Sequence, residues 1–264
     1  NVLVEHQPSS SNGAPCLLAL TGLSNISNSK NPLSICAYAK SLGYHTLLDA
    51  AALAPTSTIN LKETPVDAMA DGTINYLSLP AVTHGLRFLS TYLPFLPVRL
   101  SALLHHLVAG LNDLRHENGA RVVRVLSRLP TRRLREVGEQ ANFGSTVSMH
   151  FLDAGGAMLP LSFIEHAAAQ RKISLRTGCV CNPGGAAAII GIESDMERLY
   201  EGVTLKDFES RVGHELGVVR ISLGLASSFT DVWRVLEFAQ CIAVREERDK
   251  LWKAWEQRGS DSRH

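Results

Sequence analysis

The sequence predicts an α/β protein in which a short parallel sheet is followed by a separate α+β region. Three observations predict it: an apolar strand–helix–strand run within about 35 residues, a long leucine-striped helical segment, and an alternation of short strands and helices after it. At 264 residues, 45% of them hydrophobic, the chain can bury one large core or two modest ones. The 26 basic and 25 acidic side chains give a formal net charge of +1. Nothing in that balance calls for nucleic acid or an anionic membrane as partner.

Residues 1–15 read as a loop, with Pro8 and Asn12-Gly13 in it. Cys16–Leu20 is an apolar strand ending at Thr21-Gly22, and Asn31-Pro32 reads as the N-cap and first position of a helix that stops at Gly43. His45–Leu48 is a second strand closed by Asp49. A strand, a helix and a strand this close together form a parallel crossover. Ligands of open α/β sheets gather at the carboxyl ends of such strands, which is where Asp49 falls.

The next segment opens at Asp71-Gly72 and becomes helical, with Leu100, Leu103, Leu104, Leu107, Leu111 and Leu114 on one stripe. Later strands are expected at 121–125, 146–151, 173–175 and 218–222, and helices at 160–172, 194–200 and 230–247. Ser194 and Glu197 read as a capping box, and Arg245–His264 as a solvated helix fraying into a tail. The implied organisation is 1–70, 71–115, 116–247 and 248–264. His84, His105 and His106 are expected at the surface, and Arg132, Arg133 and Arg135 on a solvated face.

The five cysteines are scattered except for Cys179 and Cys181. That pattern suits reduced thiols in the cytoplasm better than a disulfide scaffold. No apolar run reaches about 18 residues, so no membrane span is expected. Nor does the start of the chain read as a secretory signal.

Chemistry concentrates in Arg176-Thr177-Gly178-Cys179-Val180-Cys181-Asn182-Pro183-Gly184-Gly185. A glycine-containing loop carries two thiols, with an arginine five residues before the second; cationic neighbours favour the reactive thiolate. Read alone, Cys181 is more often a structural thiol than a nucleophile. A Cys-x-Cys pair also suits zinc, but no further Cys or His pair at ligand spacing completes four ligands, so no metal is expected. Arg220 sits in an apolar strand, where a charge needs a partner or a site.

The loop resembles the cysteine loop of eukaryotic molybdenum cofactor sulfurases, in the class V aminotransferase and cysteine desulfurase superfamily. Ser24-Asn25, Leu47-Leu48-Asp49-Ala50-Ala51, Asp71-Gly72-Thr73-Ile74-Asn75-Tyr76-Leu77 and Val219-Arg220-Ile221-Ser222-Leu223-Gly224 agree in order, so the resemblance covers residues 15–245. It implies part of a pyridoxal 5'-phosphate (PLP)-dependent fold type I: a remnant of the large-domain sheet plus the C-terminal small domain. By the same resemblance Asp49 and Asn25 would hold PLP, Arg176 and Arg220 would grip the carboxylate of L-cysteine, and Cys181 would take its sulfur as a persulfide. The sulfur would then pass to the molybdenum cofactor.

The resemblance also has a gap. The family's Ser-Phe-Tyr-Lys segment, whose lysine forms the internal Schiff base, should lie between Ala70 and Asp71. None of Lys30, Lys40, Lys62, Lys172, Lys206, Lys250 and Lys253 stands in that context. Ala52 stands where cysteine desulfurases place a glutamine, and the first half of the large domain and the cofactor-binding β-barrel domain have no counterpart. The expectation is a chain inactive by itself, its open sheet exposed or covered by a second copy or a partner chain. The alternatives are a non-catalytic interaction module, or a general cysteine desulfurase or class V aminotransferase.

Overall fold

A computed structural model describes residues 2–8, 15–70, 79–178, 183–197, 199–213 and 215–261. It divides into two compact units, one of residues 1–101 and 129–144, the other of 102–128 and 145–264.

In the first unit, helix α1 (Val2–Glu5) precedes β1 (Leu17–Thr21), α2 (Ser34–Ser41), β2 (His45–Asp49) and β3 (Ala68–Ala70). The three strands are parallel in the order β1-β2-β3, with Thr21 beside Asp49 and Asp49 beside Ala70. The predicted crossover is therefore present, and β2 has the residues the sequence assigned to it. Side chains alternate along a strand. Thr46 and Leu48 are buried on the face where Leu23, Ala50 and Leu53 complete a small core. Leu17, Ala19 and Asp49 are exposed on the other face. Parallel sheets are ordinarily covered on both faces; among the described residues this face of the sheet stays open at Leu17, Ala19 and Asp49.

The start of α2 differs from expectation. Its N-cap is Leu33, with no side-chain cap. The Asn31 amide is committed elsewhere: Nδ2 donates to the Thr21 carbonyl at 2.6 Å, and the backbone N–H to Gly22 at 3.0 Å. Asn31 ties the loop to the strand end instead of capping the helix.

Helices α3 (Leu79–Tyr92) and α4 (Leu96–Asp113) follow. Leu100, Leu103, Leu104, Leu107 and Leu111 are buried as the stripe predicts, whereas Leu114 lies past the helix end. Residues 81–88 of α3 are exposed throughout. Among the described residues no single helix is long and apolar enough to cross a membrane. The Asp71-Gly72-Thr73 segment lies outside the described residues.

The second unit holds an antiparallel sheet, β4 (Val123–Val125), β5 (Thr146–Phe151) and β6 (Val219–Ser222), in the order β4-β5-β6. Val147, Met149, Phe151, Val219 and Ile221 alternate onto one buried face, where Phe151 meets Phe238 edge-on at 5.7 Å. The remaining helices are α5 (Leu161–Gln170), α6 (Pro183–Ile190), α7 (Glu193–Met196), α8 (Leu205–Val212), α9 (Phe229–Ala243) and α10 (Arg245–Asp261).

Residues 173–175 are not a strand. Lys172 takes φ 55° and the Ile173 N–H returns to Ala168, so the segment first terminates α5. The box read at Ser194 and Glu197 is absent, since α7 starts after Ile192 without a side-chain cap. Two boxes do form, at Thr204/Asp207 and Ser228/Asp231. Nor is α10 merely solvated: Trp252 and Trp255 pack on the buried Phe163 at 4.9 and 5.9 Å between ring centroids. His84 and His106 are exposed as expected. His105 is half-buried, and its Nε2 is enclosed without a hydrogen-bond partner.

Candidate functional site

The carboxyl end of the parallel sheet presents Asp49 and Asn25. Asp49 is exposed, and its Oδ1 accepts the Ala51 N–H at 3.1 Å; among the described residues Oδ2 accepts nothing. Asn25 sits in a turn organised by its neighbours. Ser24 Oγ accepts the Ser27 N–H at 3.1 Å, and the Ser24 carbonyl accepts the Asn28 N–H at 3.1 Å. Asn28 itself is fully buried at φ 61°, donating Nδ2 to the Gly144 carbonyl at 3.0 Å. Sequence reasoning missed Asn28. The signal lay in its residue type, since asparagine tolerates the left-handed region.

In the second unit Arg176 and Arg220 oppose each other directly across an antiparallel bridge. Arg176 N–H donates to the Arg220 carbonyl at 3.0 Å and Arg220 N–H to the Arg176 carbonyl at 2.7 Å. Two residues that exchange both hydrogen bonds send their side chains to the same face. The predicted pair is thus brought together by backbone geometry, 44 positions apart in sequence. Ser148, paired with Arg220 on β5, shares that face. Ser148 is buried, Arg220 half-buried and Arg176 exposed.

The pairing continues one step, where Val218 N–H donates to the Gly178 carbonyl at 3.2 Å. Gly217, at φ +127°, allows this approach, since a Cβ there would stand 2.3 Å from the Gly178 carbonyl carbon. Thr177 Oγ1 donates to a Glu165 carboxylate oxygen at 2.9 Å, fixing the other side of the segment. The cysteine loop therefore leaves from a strand-like base pinned on both sides. Cys179 and Cys181 lie outside the described residues. A cavity of about 290 Å³ in this unit is lined by Lys172, Ile221, Asp231 and Arg234 but by neither Arg176 nor Arg220. Among Arg132, Arg133 and Arg135, Arg132 pairs with Glu139 at 2.9 Å and its side chain is 68% exposed, consistent with a solvated face.

No protein-family model matches the chain. Molybdenum cofactor sulfurases match it: that of Oryza sativa subsp. japonica is 28% identical over 199 residues, covering 74% of this chain and 24% of the relative. The Bos taurus enzyme is 30% identical over 190 residues, covering 70% and 21%, and the Homo sapiens enzyme 31% over 174 residues, covering 64% and 19%. The chain thus spans about a fifth to a quarter of these relatives' length. Among solved structures, a NifS-like protein from Rickettsia africae superposes with a TM-score of 0.56 at 14% identity, covering 91% of this chain and 64% of that one. The cysteine desulfurase CsdA from Escherichia coli gives 0.55 at 13%, covering 86% and 59%. The chain has the fold of PLP-dependent cysteine desulfurases, fold type I, in part.

Proposed function

We propose that this chain, a relative of the molybdenum cofactor sulfurases, serves sulfur transfer from L-cysteine. Arg176 and Arg220 clamp the amino-acid carboxylate, Cys181 accepts the sulfur as a persulfide, and Asp49 and Asn25 hold PLP. The observation that carries this reading is the Arg176–Arg220 bridge at the base of the cysteine loop. Planar guanidinium forks suit carboxylates, and a pair rooted on directly opposed, hydrogen-bonded backbone loses less freedom on binding one.

The residues at the sheet end fit one end of PLP. Asp49 keeps an oxygen available at the carboxyl edge of a parallel strand, the position from which a carboxylate keeps a pyridine nitrogen protonated. PLP, when bound, supplies an electron sink for bonds at the amino-acid α-carbon. Asp49 would hold the ring through its nitrogen, and Asn25 would meet its phenolic oxygen. The arginine pair fixes the carboxylate of the amino acid, and Cys181 brings the thiolate. From Cys181 the sulfur would pass to the molybdenum cofactor, where two electrons from a separate thiol or other two-electron reductant would take the persulfide's outer sulfur to a sulfido ligand, the Cys181 thiolate being released and the displaced oxo ligand leaving, with two protons, as water.

No lysine stands in the family's Schiff-base context, so the chain alone binds rather than turns over. Alanine release from L-cysteine should not exceed that of a Cys181→Ala variant. Calorimetric titration with L-cysteine tests the clamp. Charge-assisted hydrogen bonds contribute about 1.5–3 kcal/mol, so Arg220→Ala and Arg176→Ala should each weaken binding roughly 10- to 100-fold. Binding that neither substitution changes would refute the clamp.

One observation favours a second reading, a cytoplasmic interaction module. The exposed Leu17 and Ala19 on the open sheet face suit cover by a second copy or a partner chain. Light scattering showing a homodimer that Leu17→Lys dissociates would support it; a monomer for both variants would count against it.

A further inference from the structure

The peptide between Gly217 and Val218 is held at both ends. Its N–H, from Val218, donates to the Gly178 carbonyl at 3.2 Å. Its carbonyl, from Gly217, lies 2.9 Å from His150 Nε2. The N–H and C=O of a trans peptide point in opposite directions, so one planar unit links β5 on one side to the base of the cysteine loop on the other. A carbonyl oxygen only accepts, so Nε2 carries the imidazole proton and donates it. Among the described residues no other group donates to that carbonyl, because the β5–β6 pairing ends at Met149 and Val219.

Alternation along β5 puts His150 on the same face as Ser148, and Ser148 is paired with Arg220. The imidazole thus belongs to the arginine face of the sheet, and at 6% exposure it is buried there. The turn that leads to Gly217 is fixed by side chains too. A Glu209 carboxylate oxygen accepts the Leu216 N–H at 2.8 Å, and a Glu215 oxygen accepts the Ser162 hydroxyl at 2.7 Å. Gly217 itself, at φ +127° and without a Cβ, does little to set the plane of its own peptide. Of the groups in contact with the Gly217 carbonyl, His150 decides which way it faces. A turned peptide would take the Val218 N–H away from Gly178.

We propose that His150 is a positioning residue for the cysteine loop: its Nε2–H holds the Gly217–Val218 peptide in the orientation that keeps Gly178, and with it Arg176, against β6. It acts through the backbone and touches no substrate. The effect on L-cysteine binding rests on the arginine clamp proposed above, whereas the effect on the base of the loop does not. One hydrogen bond of this kind changes an equilibrium by about 2- to 10-fold, and that is the size of effect expected at each readout.

Two variants of the intact chain separate the donor from the bulk of the ring. His150→Phe keeps a ring of similar size and loses the donor, whereas His150→Gln carries an amide N–H to about the place of Nε2. In His150→Phe the Val218 amide should exchange its hydrogen about 2- to 10-fold faster, and calorimetry should show L-cysteine bound about 2- to 10-fold more weakly. His150→Gln should restore both. Equal losses in the two variants, or Val218 exchange unchanged in His150→Phe, would overturn the assignment. Nitrogen-15 NMR of the unsubstituted chain tests it with no variant at all: the ring proton is expected on Nε2 at neutral pH, and a proton on Nδ1 alone would overturn it. If the unsubstituted chain binds no L-cysteine while Val218 exchange still follows the donor, the clamp fails and the role of His150 at the loop base stands.

Discussion

Substituting Gly217 by alanine tests whether the base of the cysteine loop is built as described. At Gly217 φ is +127°, and an added Cβ would fall 2.3 Å from the carbonyl carbon and 2.4 Å from the oxygen of Gly178. Carbon atoms in contact prefer about 3.5–4.0 Å, and both obstacles are backbone, so the Gly178 segment must retreat by about 1 Å. The conformation costs roughly 1–2 kcal/mol for any residue with a Cβ. Overpacking adds roughly 1–3 kcal/mol, and the Val218–Gly178 hydrogen bond at 3.2 Å about 1 kcal/mol more. Gly217→Ala should therefore destabilise the protein by about 3–6 kcal/mol in urea denaturation. Gly119→Ala is the control, because Gly119 has φ +83° and open space where its Cβ would go; strain alone applies, about 1–2 kcal/mol. Equal losses for the two variants would refute the close approach, and with it the pinned geometry of Arg176.

Four further substitutions, one of them a control, test the packing and electrostatics. Phe163→Ala empties a fully buried site between Trp252 and Trp255 and should cost about 3–5 kcal/mol, with red-shifted tryptophan emission as α10 loosens; an unchanged emission maximum would contradict that docking. Thr204→Ala removes the cap of α8 and should cost about 1 kcal/mol by thermal or urea unfolding, while Ser194→Ala, where no cap exists, should cost almost nothing. Lys40 and the Thr46 N–H and hydroxyl hold the Asp67 carboxyl down to about 2, below its ordinary 3.8. A depressed carboxylate stabilises the fold above its unfolded value and loses that contribution as pH falls towards the folded value. Asp67→Asn should flatten the acid unfolding curve between about pH 4 and pH 2, and a curve of unchanged slope there would show the network to be silent.

What the sequence disclosed follows from which signals are local. The alternation in Thr146–Phe151 and the apolar run of His45–Asp49 placed both strands correctly, because period and burial are written into consecutive residues. The leucine stripe placed the core face of α4 for the same reason. Helix starts were less legible: Asn31 looks like a cap, but its amide serves Thr21. The true boxes at Thr204 and Ser228 use aspartate where the pattern sought glutamate. Trp252 and Trp255 were hidden in a charged segment, their partner Phe163 lying 89 positions away from Trp252. The place of Asp49 at the end of a strand was legible as the strands were, from consecutive residues. The same-face relation of Arg176 and Arg220 was not, since it arises from one bridge between distant segments.

The proposed sulfur-transfer role depends most on those two arginines acting as one clamp. A double-substitution cycle in calorimetric titration with L-cysteine measures this directly. If both guanidinium groups hold one carboxylate, Arg176→Ala and Arg220→Ala together should lose less than the sum of the single losses, with a coupling of about 1 kcal/mol or more. Losses that simply add, or L-cysteine bound equally well by the doubly substituted protein, would contradict it.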